Sequence, residues 1–204
     1  MLHHDSALRI FTILFAKSML DKGTLTSRLA ARSTRNWVNT MCIELEQEGF
    51  ILTDLLDLTL HTDGQIAFHA AWLLDTVVEN DLDNYIFEID LFITYSQRIK
   101  HHSCQRHYAR IFMHLTAEAK KSNIIRLKLS QTDLEPMVEL CFDWLIDPKT
   151  KVAVKAFASE VLCNVSGRYD WITEELQSQL CFLMNNGSPA IQSTGRRLLN
   201  KLQT

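Results

Sequence analysis

Between Leu134 and Leu202 apolar residues recur every three or four positions, in four runs divided by short polar corners, and that pattern leaves few folds open. Asp133 stands where it can cap the first run, whose stripe is Leu134, Met137, Leu140, Cys141, Trp144 and Leu145. Pro136 falls in the first turn, where a missing N–H costs nothing, and Asp147 before Pro148 marks the end. The second run carries Val154, Phe157, Ala158, Val161, Leu162 and Val165 and stops near Gly167. Asp170 opens a third, with Ile172, Leu176, Leu180 and Leu183 inward, and Asn185, Asn186 and Gly187 close it. Ser188 and Pro189 form an N-cap and N1 pair for the last, lined by Ile191, Leu198, Leu199 and Leu202. Amphipathic helices joined by corners this short are expected to fold back as antiparallel hairpins.

The same pattern runs upstream. Residues 64–79 put Ile66, Ala70, Leu73, Leu74 and Val77 on one face. Residues 82–97 do so with Leu82, Tyr85, Ile86, Ile89, Phe92 and Ile93, and residues 103–117 with Cys104, Tyr108, Ile111, Phe112 and Leu115. Further helices are expected near 5–20, 34–48 and 50–61, the second carrying Trp37, Met41, Cys42 and Leu45. Residues 118–132 read as one long connection, in which Ile124, Ile125, Leu127 and Leu129 make no helical stripe and the backbone is expected to be irregular. With only 6 Gly and 3 Pro, the chain lacks the punctuation of a turn-rich β protein.

Aligning the second helix of each pair exposes an internal repeat: Phe68 to Trp72, Gln105 to Ala109, Val154 to Ala158, Ile191 to Gly195. The spacings are 37, 49 and 37 residues, the excess falling in the long connection. Small residues (Ala70, Ala109, Ala156, Ala158, Gly195) recur where helices must approach closely. The expected fold is all-α, a HEAT- or armadillo-like right-handed solenoid of antiparallel helix pairs. One domain over 1–204 is expected, with degenerate helices over 1–61 and clearer pairs over 62–204.

Three stretches carry a family resemblance: Ala70 to Leu74, Leu140 to Lys149, and the Val152 to Ala158 that follows. With the C-terminal run Gly195 to Leu202, they make residues 60–204 resemble a family of small bacterial HEAT-like proteins of unassigned function. These are packing motifs, so the resemblance implies a fold and brings no catalytic residues with it. Members sometimes carry the label adenylosuccinate lyase, an enzyme family with a Ser-rich catalytic loop; no Ser-Ser pair occurs in this sequence.

Composition narrows the function classes. Hydrophobic residues at 47% and charged residues at 22% are ordinary for a globular chain. The longest apolar stretch, Ile10 to Ala16, is far short of the ~20 residues a bilayer needs, and the N-terminus lacks the basic region and cleavage site of a signal peptide. Five Cys without a CxxC pair, four of them on or beside apolar stripes, suggest reduced thiols and a cytoplasmic protein. No GxGxxG, P-loop, GxSxG or HExxH motif is present; no cofactor is expected, and a non-catalytic interaction or scaffold module is the favoured reading, the alternative being an enzyme whose site escapes such motifs.

Three constellations carry possible chemistry. His101, His102, Cys104, His107, Arg110 and His114 could include metal ligands, but Arg110 among them would repel a cation, and a solvated helix face is the simpler reading. Trp72 with Asp75, or Trp144 with Asp147, superficially matches the Trp and Asp of helical-repeat DNA glycosylases; tryptophans in a core are commoner. Charge is uneven: residues 1–97 carry 6 Lys+Arg against 14 Asp+Glu, a net of -8, and residues 98–204 carry 15 against 10, a net of +5. Arg106 and Lys155 align in successive second helices, His69 holds that place one repeat earlier, and Arg110 follows Arg106 by one turn. These four residues are the expected partner-binding band, drawing an acidic segment of a protein or, less favoured at a pI near 6.2, nucleic acid. The alternative is that their side chains bond only within the stack. The oligomeric state is not legible.

Overall fold

The computed structural model describes residues 19–31, 34–185 and 187–203. Their regular structure is helical, apart from one isolated parallel bridge between Leu20 and Phe50. Most of the helix expected near 5–20 lies outside the described residues; Met19 and Leu20, at its end, are not helical. The chain divides between Leu73 and Leu74 into two compact units, so the division falls inside a helix.

The first unit contains α1 (Lys22–Leu29), α2 (Arg35–Glu48), α3 (Leu52–Leu58) and the first part of α4 (Gly64–Asn80). Sequence patterning missed α1, which has only Leu25 and Leu29 to bury; Asp21 starts it by accepting the Thr24 N–H at 3.0 Å. Thr34 caps α2 in the same way through Trp37 N–H. Gly49 ends α2 with φ of 81°, a left-handed conformation that a side chain would strain, and its carbonyl accepts the Leu20 N–H at 2.9 Å. The buried stripe of α2, Val38, Met41, Cys42 and Leu45, is close to the one its spacing predicts.

The second unit holds the rest of α4, then α5 (Leu82–Tyr85), a 3-10 turn (Ile86–Glu88), α6 (Ile89–Ser96), α7 (His102–Glu118) and α8 (Asn123–Gln131). It continues with α9 (Glu135–Ile146), α10 (Val152–Val165), a second 3-10 turn (Ser166–Arg168), α11 (Asp170–Asn185) and α12 (Pro189–Leu202). The helix expected over 82–97 is broken at its middle. Ile86 and Ile89 are three apart and both fully buried, and three residues per turn stacks them on one side.

Residues 118–132 are not irregular. The Ser122 hydroxyl accepts the Ile125 N–H and opens α8, which turns Ile125 and Leu129 inward at i, i+4 spacing. Ile124 and Leu127 point outward, so four apolar residues within six positions conceal a stripe of two. Arg168 closes the far end of α8, donating to the carbonyls of Leu129 at 2.6 Å and Thr132 at 2.7 Å.

α10 is the hub, packed against α7, α9, α11 and α12. Burial sets the repeat register. Ile66, Ala70, Leu73, Leu74 and Val77 of α4 recur as Cys104, Tyr108, Ile111, Phe112 and Leu115 of α7, and as Val154, Ala158, Val161, Leu162 and Val165 of α10. α7 therefore aligns one position away from the sequence alignment: His69 corresponds to His107, and Lys155 to Gln105. On α12 the series reaches Ile191, Gly195 and Leu198; a methyl at Gly195 would overlap Met184 Sδ of α11. Polar bonds join residues about one repeat apart: Ser122 to Asp83 at 2.5 Å, Lys128 to Asp90 at 2.7 Å, Gln97 to the Pro136 carbonyl at 2.9 Å, and Lys201 to Asn164 at 3.0 Å.

Candidate functional site

The four candidate residues have separate placements. His69 is buried in the first unit and its Nδ1–H donates to the Leu29 carbonyl at 2.7 Å, with the Trp37 ring 5.7 Å away. Lys155, 8% exposed, donates from Nζ to the Leu145 carbonyl at 2.6 Å, near the end of α9. Burial lowers its pKa, and Asp147 acts in the opposite direction. The register explains this use. Gln105 donates to Ile99 at 3.4 Å and Gln192 to Gly187 at 3.2 Å, so three equivalent positions each reach back to a carbonyl just upstream, at the close of the preceding helix or in its corner. Arg110 is held by carboxylates on α4. Arg106, one turn before it on α7, is exposed.

Asp75 has no exposed surface and gathers a histidine and an arginine around it. Its Oδ2 lies 2.8 Å from His107 Nδ1, which donates, and 3.1 Å from Arg110 Nη1. Arg110 pairs through Nη2 with Glu79, and its Nε–H donates to His114 Nε2 at 3.2 Å. That nitrogen is thus an acceptor, and its 3.6 Å approach to Glu79 is not a hydrogen bond. Asp75 Oδ1 has no hydrogen-bond partner among the described residues. A carboxylate sealed this way can hold α4 to α7 but cannot meet a substrate, so Trp72 and Asp75 do not form a base-reading pair.

The histidines of α7 and its N-cap are engaged separately, His114 with Arg110 as above. His107 serves Asp75, His102 Nδ1 lies 3.1 Å from Gln105 Oε1, and His101 Nδ1 lies 3.6 Å from Cys104 Sγ. No group of three or more His, Cys, Asp or Glu among the described residues is arranged to hold a metal ion. The cysteines are free; burial pushes the Cys42 and Cys104 thiols up to about 12 and raises Cys141 further. Such thiols stay protonated and pack as small apolar groups.

A different surface presents uncommitted chemistry. Between α9 and α11 lies an open cleft of about 390 Å³, lined by Glu139, Phe142, Asp143, Ile146, Trp171 and Glu175. The rings of Phe142 and Trp171 stand 5.4 Å apart at 33°. Trp171 is 45% exposed and Ile146 57%, whereas Trp144, two residues from Phe142 on α9, is 4% exposed in the core. Sequence reasoning missed the cleft, although one signal was available: Trp171 falls beside, not on, the Ile172, Leu176 and Leu180 stripe.

Paired helices, a recurring burial register and carbonyls capped from the following helix define an all-α repeat protein. A family model for a HEAT repeat domain matches residues 25–202, and the chain belongs to that family. No curated protein and no solved structure gives a significant match. No helix of the described residues is long and apolar enough to cross a membrane.

Proposed function

We propose that this HEAT-repeat chain is a non-catalytic, cytoplasmic interaction or scaffold module that binds another protein. One observation carries the reading: exposed Trp171 against half-buried Phe142, with exposed Ile146 beside them, across α9 and α11. Aromatic anchors surrounded by polar groups are the residues that contribute most to protein interfaces. Repeats of this kind present regular surfaces without needing a catalytic pocket.

A pI near 6.2 favours a protein partner over nucleic acid, and part of the chain's positive charge is engaged within the fold. Lys22, Arg28, Arg110, Lys121, Lys128 and Arg197 pair with carboxylates of this chain, and Lys155 is buried. Phosphate-backbone binding needs several aligned cations left available. Cross-linking of the tagged full chain in its native host, followed by isolation, is expected to yield a stoichiometric protein partner that survives nuclease treatment. A salt-sensitive gel shift with DNA or RNA, and no protein partner, would overturn this function.

A further inference from the structure

We propose that the cleft between α9 and α11 seats a Lys- or Arg-bearing segment of the partner protein, an inference that rests on the interaction reading above. The apolar floor of Phe142, Trp171 and Ile146 is rimmed by the carboxylates of Glu139, Asp143 and Glu175. Glu139, Asp143 and Glu175 are exposed, and among the described residues the three make one side-chain hydrogen bond, Gln179 Nε2 donating to Glu175 at 2.9 Å. Three carboxylates elsewhere in this unit are answered by cations of the chain, Asp75 by Arg110, Asp90 by Lys128 and Glu160 by Arg197. Three unanswered carboxylates around two aromatic rings form a locally acidic patch in the half of the chain whose net charge is +5.

Charge complementarity selects the occupant. An acidic segment or a nucleic acid would meet like charge at the rim. A wholly apolar segment would strip water from three carboxylates and return nothing. A Lys or Arg side chain satisfies both parts of the cleft, laying its alkyl stem on the rings and placing its cation among the carboxylates and over the indole face. This is the opposite polarity to the basic band expected from sequence, of which Lys155 and Arg110 are held within the fold and Arg106 is exposed.

The test uses the full chain and two synthetic amphipathic peptides, one alternating Leu with Lys and the other Leu with Glu, titrated by calorimetry. The Lys peptide is expected to bind at least about tenfold tighter than the Glu peptide. Trp171→Ala and the triple variant Glu139→Gln, Asp143→Asn, Glu175→Gln should each weaken it about tenfold without moving the melting temperature. Added salt should weaken the wild-type complex and leave the triple variant's residual binding nearly unchanged. Equal binding of both peptides, or undiminished binding by either variant, overturns the proposal. So does a dimer in sedimentation that Trp171→Ala abolishes, since the occupant would then be a second copy. Native-host isolation separates the two ideas: partners kept by the triple variant refute this cleft and leave the interaction function standing, whereas a wild-type chain that captures none refutes that function.

Discussion

Asp75 and Asp143 are both helix carboxylates in the second compact unit, and their surroundings make opposite use of the same group. Around Asp75 the charges face inward and are matched: His107 and Arg110 share Oδ2, and Arg110 extends the set to Glu79 and His114. Around Asp143 the charges face outward, unmatched, beside an exposed tryptophan. Buried charge is tolerated only when its partners are built in, so it serves the fold. Exposed charge next to an aromatic ring costs little in the free protein and is available to a partner.

The contrast can be broken most forcefully at Asp75. Asp75→Ala removes the acceptor that His107 and Arg110 share and should destabilise the chain by about 3–5 kcal/mol in urea unfolding. A loss near zero would mean that the cluster does not hold α4 to α7. Trp144→Ala should cost a comparable ~3–4 kcal/mol, as deletion of a large core side chain does. Lys155→Met keeps the buried stem and deletes the donor to the Leu145 carbonyl; ~1–2 kcal/mol should be lost, and partner capture should not change. Capture that fails while stability holds would return Lys155 to the binding surface.

Alkaline titration probes the buried thiols. An acid whose folded pKa is raised is more protonated in the folded state, so stability is complete below the ordinary value near 9 and falls as pH rises toward about 12. Each such thiol contributes a slope of up to about 1.4 kcal/mol per pH unit in that window. Stability–pH curves of the wild type and of Cys42→Ala with Cys104→Ala should converge across it. Smallest of all, Trp171→Ala and Asp143→Asn should each shift stability by less than ~1 kcal/mol. A larger loss would place these residues in the architecture and dissolve the contrast.

Much of the fold was legible because helix periodicity is local. The stripe of α10 and the Ser188–Pro189 start of α12 each depend on residues within a few turns. α8 was missed because outward Ile124 and Leu127 blur the spacing of Ile125 and Leu129. The candidate site was less legible for a different reason. Nothing near Lys155 announces that its ammonium will meet the carbonyl of Leu145, and nothing near Arg110 names Asp75, 35 residues earlier in the chain. A single-residue error in register on α7 also paired Lys155 with exposed Arg106 in place of Gln105. Whether a cation is available to a partner is a tertiary property.

The bonds that join residues about one repeat apart have a consequence for how such a chain can grow. Asp83 is matched to Ser122, Asp90 to Lys128, Glu160 to Arg197 and Asn164 to Lys201. In all four the later residue donates and the earlier one accepts, so the seams share one polarity. A duplicated helix pair would therefore still offer acceptors to the pair after it and donors to the pair before it. Lengthening such a stack asks for the right register and not for a new kind of contact.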